Sequence, residues 1–183
     1  MSVGSSFDEV LAGARLGADW AVAVLYRDLH PRLVRFFRSQ EPRDADDLVG
    51  EVWLAVAQGL AAFDGDEAGL RAWVFTIARR RLVDHRRRAA FRRTDSVDMV
   101  TLAERPGADD AERDALATLV SADVLRRVGE ALSVEQAEVV LLRVVADLDV
   151  ASVARIVGKR PGAVRALQHR ALKRLAEVFP AEP

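Results

Sequence analysis

Apolar residues recur at three- and four-residue steps along almost the whole chain, and no stretch alternates apolar with polar residues under β-branched enrichment. A step of 3.6 aligns one apolar stripe on a helix, whereas a half-buried strand needs a step of two. The spacing therefore predicts an all-α fold. A first helix is expected over about 18–38, with Pro31 as a kink. A second begins at the acid cluster Asp44 to Asp47, because carboxylates suit the partial positive charge of a helix N-terminus. It buries Leu48, Val52, Ala55, Val56 and Leu60. The turn Asp64-Gly65-Asp66-Glu67-Ala68-Gly69 leads into a third helix over about 70–89, burying Leu70, Trp73, Val74, Ile77 and Ala78.

The stretch from Phe91 to Ala111 carries Pro106, Gly107 and many acids with little periodicity, so it reads as a linker. Beyond it, Ser133 and Gln136 have the spacing of a capping box for a helix over about 134–145. Asp149 suits the cap of a short helix ending at Gly158, and Pro161 suits the first turn of a last helix to about Val178. This last helix is expected to bury Val164, Leu167, Ala171, Leu172, Leu175 and Val178. The expectation is two small helical domains, a helical bundle over 1–93 and a helix-turn-helix domain over 118–183. A flexible acidic linker over 94–117 joins them.

Composition narrows the chemistry. The 183 residues include no cysteine, which excludes disulfides, cysteine-ligated zinc, iron–sulfur clusters and a thiol nucleophile. Half the residues are apolar, enough for a core. The longest uncharged run, Val52 to Phe63, has 12 residues and is too short to cross a bilayer. The first 20 residues lack the basic start and apolar stretch of a secretory signal. A soluble, cytoplasmic protein is expected.

The net charge of −1 conceals a pattern. Residues 41–70 balance to −7, residues 71–93 to +8, residues 94–123 to −6 and residues 155–174 to +7. Two basic blocks alternating with acidic ones fit either two polyanion-binding surfaces or two solvated helix faces. On the last helix Arg165, His169 and Lys173 recur at four-residue steps, flanked by Arg170 and Arg174. Arginine on such a helix suits major-groove entry, with bidentate contacts to guanine and neighbours holding phosphates. On the third helix Arg71, Phe75 and Arg79 lie four apart, followed by Arg80 and Arg81. Phe75 either stacks an exposed base or belongs to the core, and the Asp64–Gly69 turn is either a cup for a flipped base or an ordinary loop. Asp46, Asp47 and Glu51 would repel DNA, so a protein partner is expected at that helix. Asp47 and Glu51 also have spacing for a metal, but helix-start carboxylates are ordinary and no histidine is near in sequence. No metal, no cofactor and no catalytic residue is expected, since no nucleophile–base pair is visible.

These segments, in this order, resemble a bacterial RNA polymerase sigma factor of the extracytoplasmic function (ECF) group, in the sigma-70 family. Asp44-Ala45-Asp46-Asp47-Leu48-Val49-Gly50-Glu51-Val52-Trp53 looks like the polymerase-clamp-binding segment. Leu70 to Arg79, with Asp84-His85-Arg86-Arg87, looks like the −10-reading helix. Gln136 to Arg143, Val150 to Val157 and Gly162 to Ala171 look like the −35-reading domain. The resemblance implies polymerase contacts from Asp46, Asp47, Gly50 and Glu51. It implies −10 contacts from Asp66, Glu67, Arg71, Phe75, Arg79 and Arg80, and −35 contacts from Arg165, Ala166, His169, Arg170 and Lys173. The implied partners are core RNA polymerase and promoter DNA, double-stranded and melted, with room for an anti-sigma protein. The chain departs from the family where Gly50 replaces a usual glutamine, Arg80 a usual asparagine, and Ala163 and Ala166 hydroxyl residues. The implied function is a non-enzymatic transcription initiation factor that recognises −35 and −10 elements and helps melt promoter DNA. A free-standing helix-turn-helix repressor is the alternative, and a helical adaptor that binds only proteins ranks after it.

Overall fold

A computed structural model describes residues 7–95, 127 and 129–179, and none of these lies in a strand. The N-terminal half carries α1 (Phe7–Arg15), α2 (Asp19–Arg38), α3 (Ala45–Gly59), a 3-10 turn (Leu60–Ala62) and α4 (Glu67–Asp95). The C-terminal half carries α5 (Val134–Val144), α6 (Val150–Val157) and α7 (Pro161–Val178). The all-α reading holds. The acidic linker falls outside the described residues apart from its first positions.

Local chemistry sets most of the helix ends. Ser133 accepts the Gln136 backbone N–H at 3.3 Å while the Gln136 side chain accepts the Ser133 N–H at 3.0 Å, so both halves of the capping box form. Asp66 accepts the Gly69 N–H at 2.7 Å and starts α4 three residues before the expected position. Asp44 precedes α3 without capping it, and its carboxylate lies 3.3 Å from His85 Nε2 instead. Pro31 sits inside α2, which runs through it. The sequence reading missed α1, although Phe7, Val10, Leu11 and Ala14 form its buried stripe.

The N-terminal core is built by Leu25, Leu29, Leu33, Phe36 and Phe37 of α2, Leu48, Val52 and Val56 of α3, and Leu70, Val74, Phe75, Ala78 and Leu82 of α4. Fully burying one such large side chain contributes about 1.5–3 kcal/mol. The C-terminal core gathers Val139, Leu141, Leu142, Val153, Val164 and Ala171. The two halves touch. Helix α6 packs against α4, and Gly129 approaches α2 so closely that a Cβ there would lie 2.5 Å from the Ser39 carbonyl oxygen.

Candidate nucleic-acid and polymerase interfaces

The C-terminal helix pair is assembled by short-range signals. Asp149 accepts the Ser152 backbone N–H at 2.6 Å, and that bond holds its carboxyl below the usual range. Gly158 turns the chain at φ 68°, a left-handed conformation that costs a residue without Cβ little. Pro161 then opens α7. Val164, Leu167 and Ala171 turn inward. Arg165, Ala166, His169, Arg170 and Lys173 share the opposite, exposed side. Leu172, expected in the core, is 48% exposed. It follows Ala171 by one position, and a step of 100° carries it off the buried stripe.

Helix α3 places Asp46, Asp47 and Gly50 on an exposed side with Glu51 half-exposed at its edge. Leu54, one turn on, is 67% exposed. Arg38 reaches Asp46 at 3.5 Å, and Arg81 and Arg88 approach Glu51 at 3.7 and 3.9 Å. Asp47 has no ion-pair partner among the described residues. A Cβ on Gly50 would meet nothing within 4 Å. Beside this face an open groove is lined by Glu51, Leu54, Gln58, Arg87 and Phe91.

Helix α4 corrects the sequence reading. Phe75 is fully buried, edge-on to Phe36 with ring centroids 5.6 Å apart, and Phe36 is edge-on to Phe37 at 5.3 Å. It belongs to the core and does not lie on an outer basic face. Trp73 and Ile77, expected in the core stripe, are only partly buried, and Trp73 leans on Phe63 at 5.3 Å. Arg71 is buried as well. Its Nη2 meets Glu67 at 2.7 Å, its Nη1 meets Asp147 at 2.8 Å, and its Nε has no partner. Arg79 Nε donates to Glu138 at 2.8 Å. Arg80 is exposed, and so is Asp66. The Asp64–Gly69 turn thus places Asp66 at the cap and Glu67 on Arg71.

Several residues here were not singled out from sequence. Glu138 is a buried carboxylate on an otherwise apolar stretch of α5, and Asp147 takes φ 54° in the turn after α5. Arg32 of α2 donates to the Val145 carbonyl at 3.0 Å. A polar residue within an apolar run was the available signal for Glu138. Nothing local marked the other two. On the surface of α2 and α3, Tyr26 stacks on His30 at 4.4 Å, and Trp53 Nε1 donates to His30 Nδ1 at 3.3 Å. Burial pushes the His30 pKa below its ordinary 6.5, opposed in part by Asp46.

Comparison with known proteins fits this arrangement. Residues 25–92 match Sigma-70 region 2, and residues 123–175 match Sigma-70 region 4. The chain is 33% identical to the ECF RNA polymerase sigma factor SigD of Mycobacterium tuberculosis, over 95% of this chain and 84% of that one. It is 31% identical to the ECF RNA polymerase sigma factor BldN of Streptomyces coelicolor, over 94% of this chain and 65% of that longer protein. In structure it resembles CnrH in complex with the cytosolic domain of CnrY, with a TM-score of 0.64, 20% identity and coverage of 98% and 100% of the two chains. It also resembles RpoE of Bartonella quintana in complex with the anti-sigma factor NepR, with a TM-score of 0.61, 24% identity and coverage of 87% and 98%. The chain belongs to the ECF sigma factors of the sigma-70 family. Among the described residues no helix is long and apolar enough to cross a membrane.

Proposed function

We propose that this chain is a transcription initiation factor that binds core RNA polymerase, directs it to promoters with −35 and −10 elements and helps to melt the DNA. The observation that carries the reading is that one chain bearing regions 2 and 4 exposes both an acidic α3 face and a basic α7 face. Acids repel DNA phosphates and suit a protein surface, whereas a cationic helix suits the major groove. Asp46, Asp47, Gly50 and Glu51 would contact polymerase. Arg165, Ala166, His169, Arg170 and Lys173 would meet the −35 element. Asp66, Glu67, Arg71, Arg79 and Arg80 would serve the −10 element, and Phe75 is left out because it lies in the core.

The units are a domain over 1–93, a linker over 94–117 and a domain over 118–183. The linker's 24 residues, fully extended, reach about 80 Å. Two turns of DNA are roughly 70 Å, so both promoter elements lie within one molecule's span. The protein contributes no bond-making chemistry of its own and works in the cytoplasm beside polymerase. A protein antagonist of the kind that NepR is for RpoE is a further partner. A free-standing repressor would leave the acidic α3 face without a role.

Run-off transcription on a promoter library, with core polymerase alone and with this protein added, tests the reading. New transcripts from a subset of promoters are expected. Tight operator binding with no protein-dependent transcript would replace the reading with the repressor.

A further inference from the structure

Between α1, α2, α3 and the 3-10 turn lies a cavity of about 280 Å³, lined by none of the residues assigned above to polymerase or DNA. Its floor is Leu25, Leu29, Val56, Leu60 and Leu70, all buried. Its rim is exposed and small, with Gly17, Ala57 and Ala61 leaving the mouth uncovered. Its single charged lining residue is Arg15, at the C-terminal end of α1. We infer that this cavity binds a small amphipathic carboxylate, a monocarboxylic acid with an apolar tail, with the tail on the leucine floor and the head on Arg15.

The floor sets the tail. Leucine and valine side chains offer no donor or acceptor, and the Trp53 Nε1 on the wall is already committed to the His30 Nδ1 at 3.3 Å. A water molecule needs two to four polar partners to be held in a cavity, and this floor supplies none. An alkyl chain loses nothing there and leaves water behind. An apolar cavity of about 150 Å³ holds one benzene ring, so about 280 Å³ suits a tail of roughly eight to ten carbons. Sites for small ligands have this form, an apolar concavity with a few polar groups that fix orientation. A nucleotide or a sugar would leave its own donors and acceptors unpaired on such a floor.

Arg15 sets the head. Its Nη2 donates to the Phe63 carbonyl and lies 3.4 Å from Asp64, which ties the end of α1 to the turn before α4 and holds that part of the rim in place. Its Nε and Nη1 have no partner among the described residues. The Asp64 side chain is fully exposed, so water screens that pair and the carboxylate is free to turn away. A carboxylate at the mouth therefore gains charge-assisted bonds from the remaining N–H groups while the Phe63 bond stays. An alcohol head gains only a weaker bond from the same groups, and an ammonium head is repelled. The floor selects an apolar tail and the one cation selects an anion.

Isothermal titration calorimetry of the full chain with sodium octanoate, 1-octanol and octyltrimethylammonium tests the site, since the three probes share a tail and differ in head charge. Octanoate should saturate at one per chain and bind roughly 5-fold or more tightly than octanol, with the ammonium weakest. Hexanoate, shorter by two methylenes, should bind more weakly than octanoate by up to about 4-fold per methylene. Arg15→Gln should bring octanoate down to the affinity of octanol and leave octanol unchanged. Ala57→Phe puts a ring across the mouth from an exposed rim position and should weaken octanoate and octanol alike, by roughly 10-fold or more. Ala61→Phe is the second blocking variant, and helical circular dichroism verifies that each variant is folded. No saturable octanoate binding, octanol binding as tightly as octanoate, or undiminished octanoate binding in both folded blocking variants would each overturn the proposal. None of these readouts depends on transcription, so the site and the sigma-factor reading stand or fall separately.

Discussion

Replacing Phe75 with alanine separates a packing role from a base-capturing one. The ring is fully buried and stands edge-on to Phe36, which in turn meets Phe37. Truncating a buried phenylalanine costs about 3–5 kcal/mol, because transfer energy is lost and a cavity is left. Edge-to-face pairing adds about 0.5–1.5 kcal/mol beyond area. Whole-domain stability is typically about 5–15 kcal/mol, so the loss is a large share. In a domain of about 60–100 residues each kcal/mol moves Tm by roughly 4–8 °C, which puts the expected drop above about 10 °C. Phe75→Leu keeps most of the volume and should lose less, about 1.5 kcal/mol or under if the core repacks. Thermal melts followed by circular dichroism measure both. Permanganate footprinting of the opened promoter supplies the second readout at a temperature where both variants are folded. A Phe75→Ala chain that melts within a few degrees of the wild type yet fails to open DNA would refute the burial argument and restore the base-stacking role.

Arg165→Ala on the exposed side of α7 should weaken promoter binding by roughly 1–3 kcal/mol and relax preference at one −35 position, read by binding selection on a randomised site. Lys173→Ala should instead weaken all sequences about equally. Asp47→Lys, at an exposed position of α3 with no ion pair among the described residues, should abolish co-purification with core polymerase while the circular dichroism spectrum is kept; normal co-purification would remove α3 from that interface. His30 titrates below its ordinary 6.5 because burial disfavours its charged form, and the Trp53 N–H occupies Nδ1. The unfolded chain then binds the proton first, so the stability tied to neutral His30 is complete above pH 6.5 and falls as pH drops below it. Urea unfolding of the wild type should weaken over that range more than that of His30→Gln; parallel profiles would place the pH dependence elsewhere.

What the sequence could and could not reveal follows from the range of the forces involved. The ends of α5, α6 and α7 are set by residues within a few positions, Ser133 with Gln136, Asp149 with Ser152, then Gly158 and Pro161, and each was readable. Helix α1 was hidden by Gly13, because a glycine lowers helix propensity. Gly13 is there because a Cβ would lie 2.9 Å from both Trp20 and Ala21 of α2, a contact no local pattern shows. The phase of α4 was harder. Trp73, Val74, Phe75 and Ile77 make it apolar on several sides, so two stripes were available. The choice falls to Phe36, which takes Phe75 rather than Ile77 as its partner. The fate of Arg71 rests on Asp147, 76 residues away. No periodicity carries that information.

The alternating charge blocks show the same limit. Taken along the chain, the acids of 41–70 and the arginines of 71–93 suggest separate surfaces. Folding lays α3 against α4, and the blocks answer one another in part. Arg86 meets Glu41 at 2.6 Å, His85 meets Asp44, Arg81 and Arg88 share Glu51, and Arg71 holds Glu67. The partly exposed pairs among these, those of Glu41, Asp44 and Glu51, contribute little each, typically about 0–1 kcal/mol. Their larger effect is on the field. An arginine already beside a carboxylate attracts a phosphate less, so the basic block is quieter toward DNA than its count implies. The basic side of α7 differs. Arg165, His169 and Lys173 have no acid paired to them among the described residues, and Arg170 donates to the Ala166 carbonyl within its own helix at 3.3 Å while acting on Glu135 only through its field. Among the described residues, the cationic surface left without an ion pair therefore includes the recognition helix together with the exposed Arg80 and Arg87 of α4. Arg71, Arg79, Arg81, Arg86 and Arg88 become available only where their carboxylate partners are drawn away.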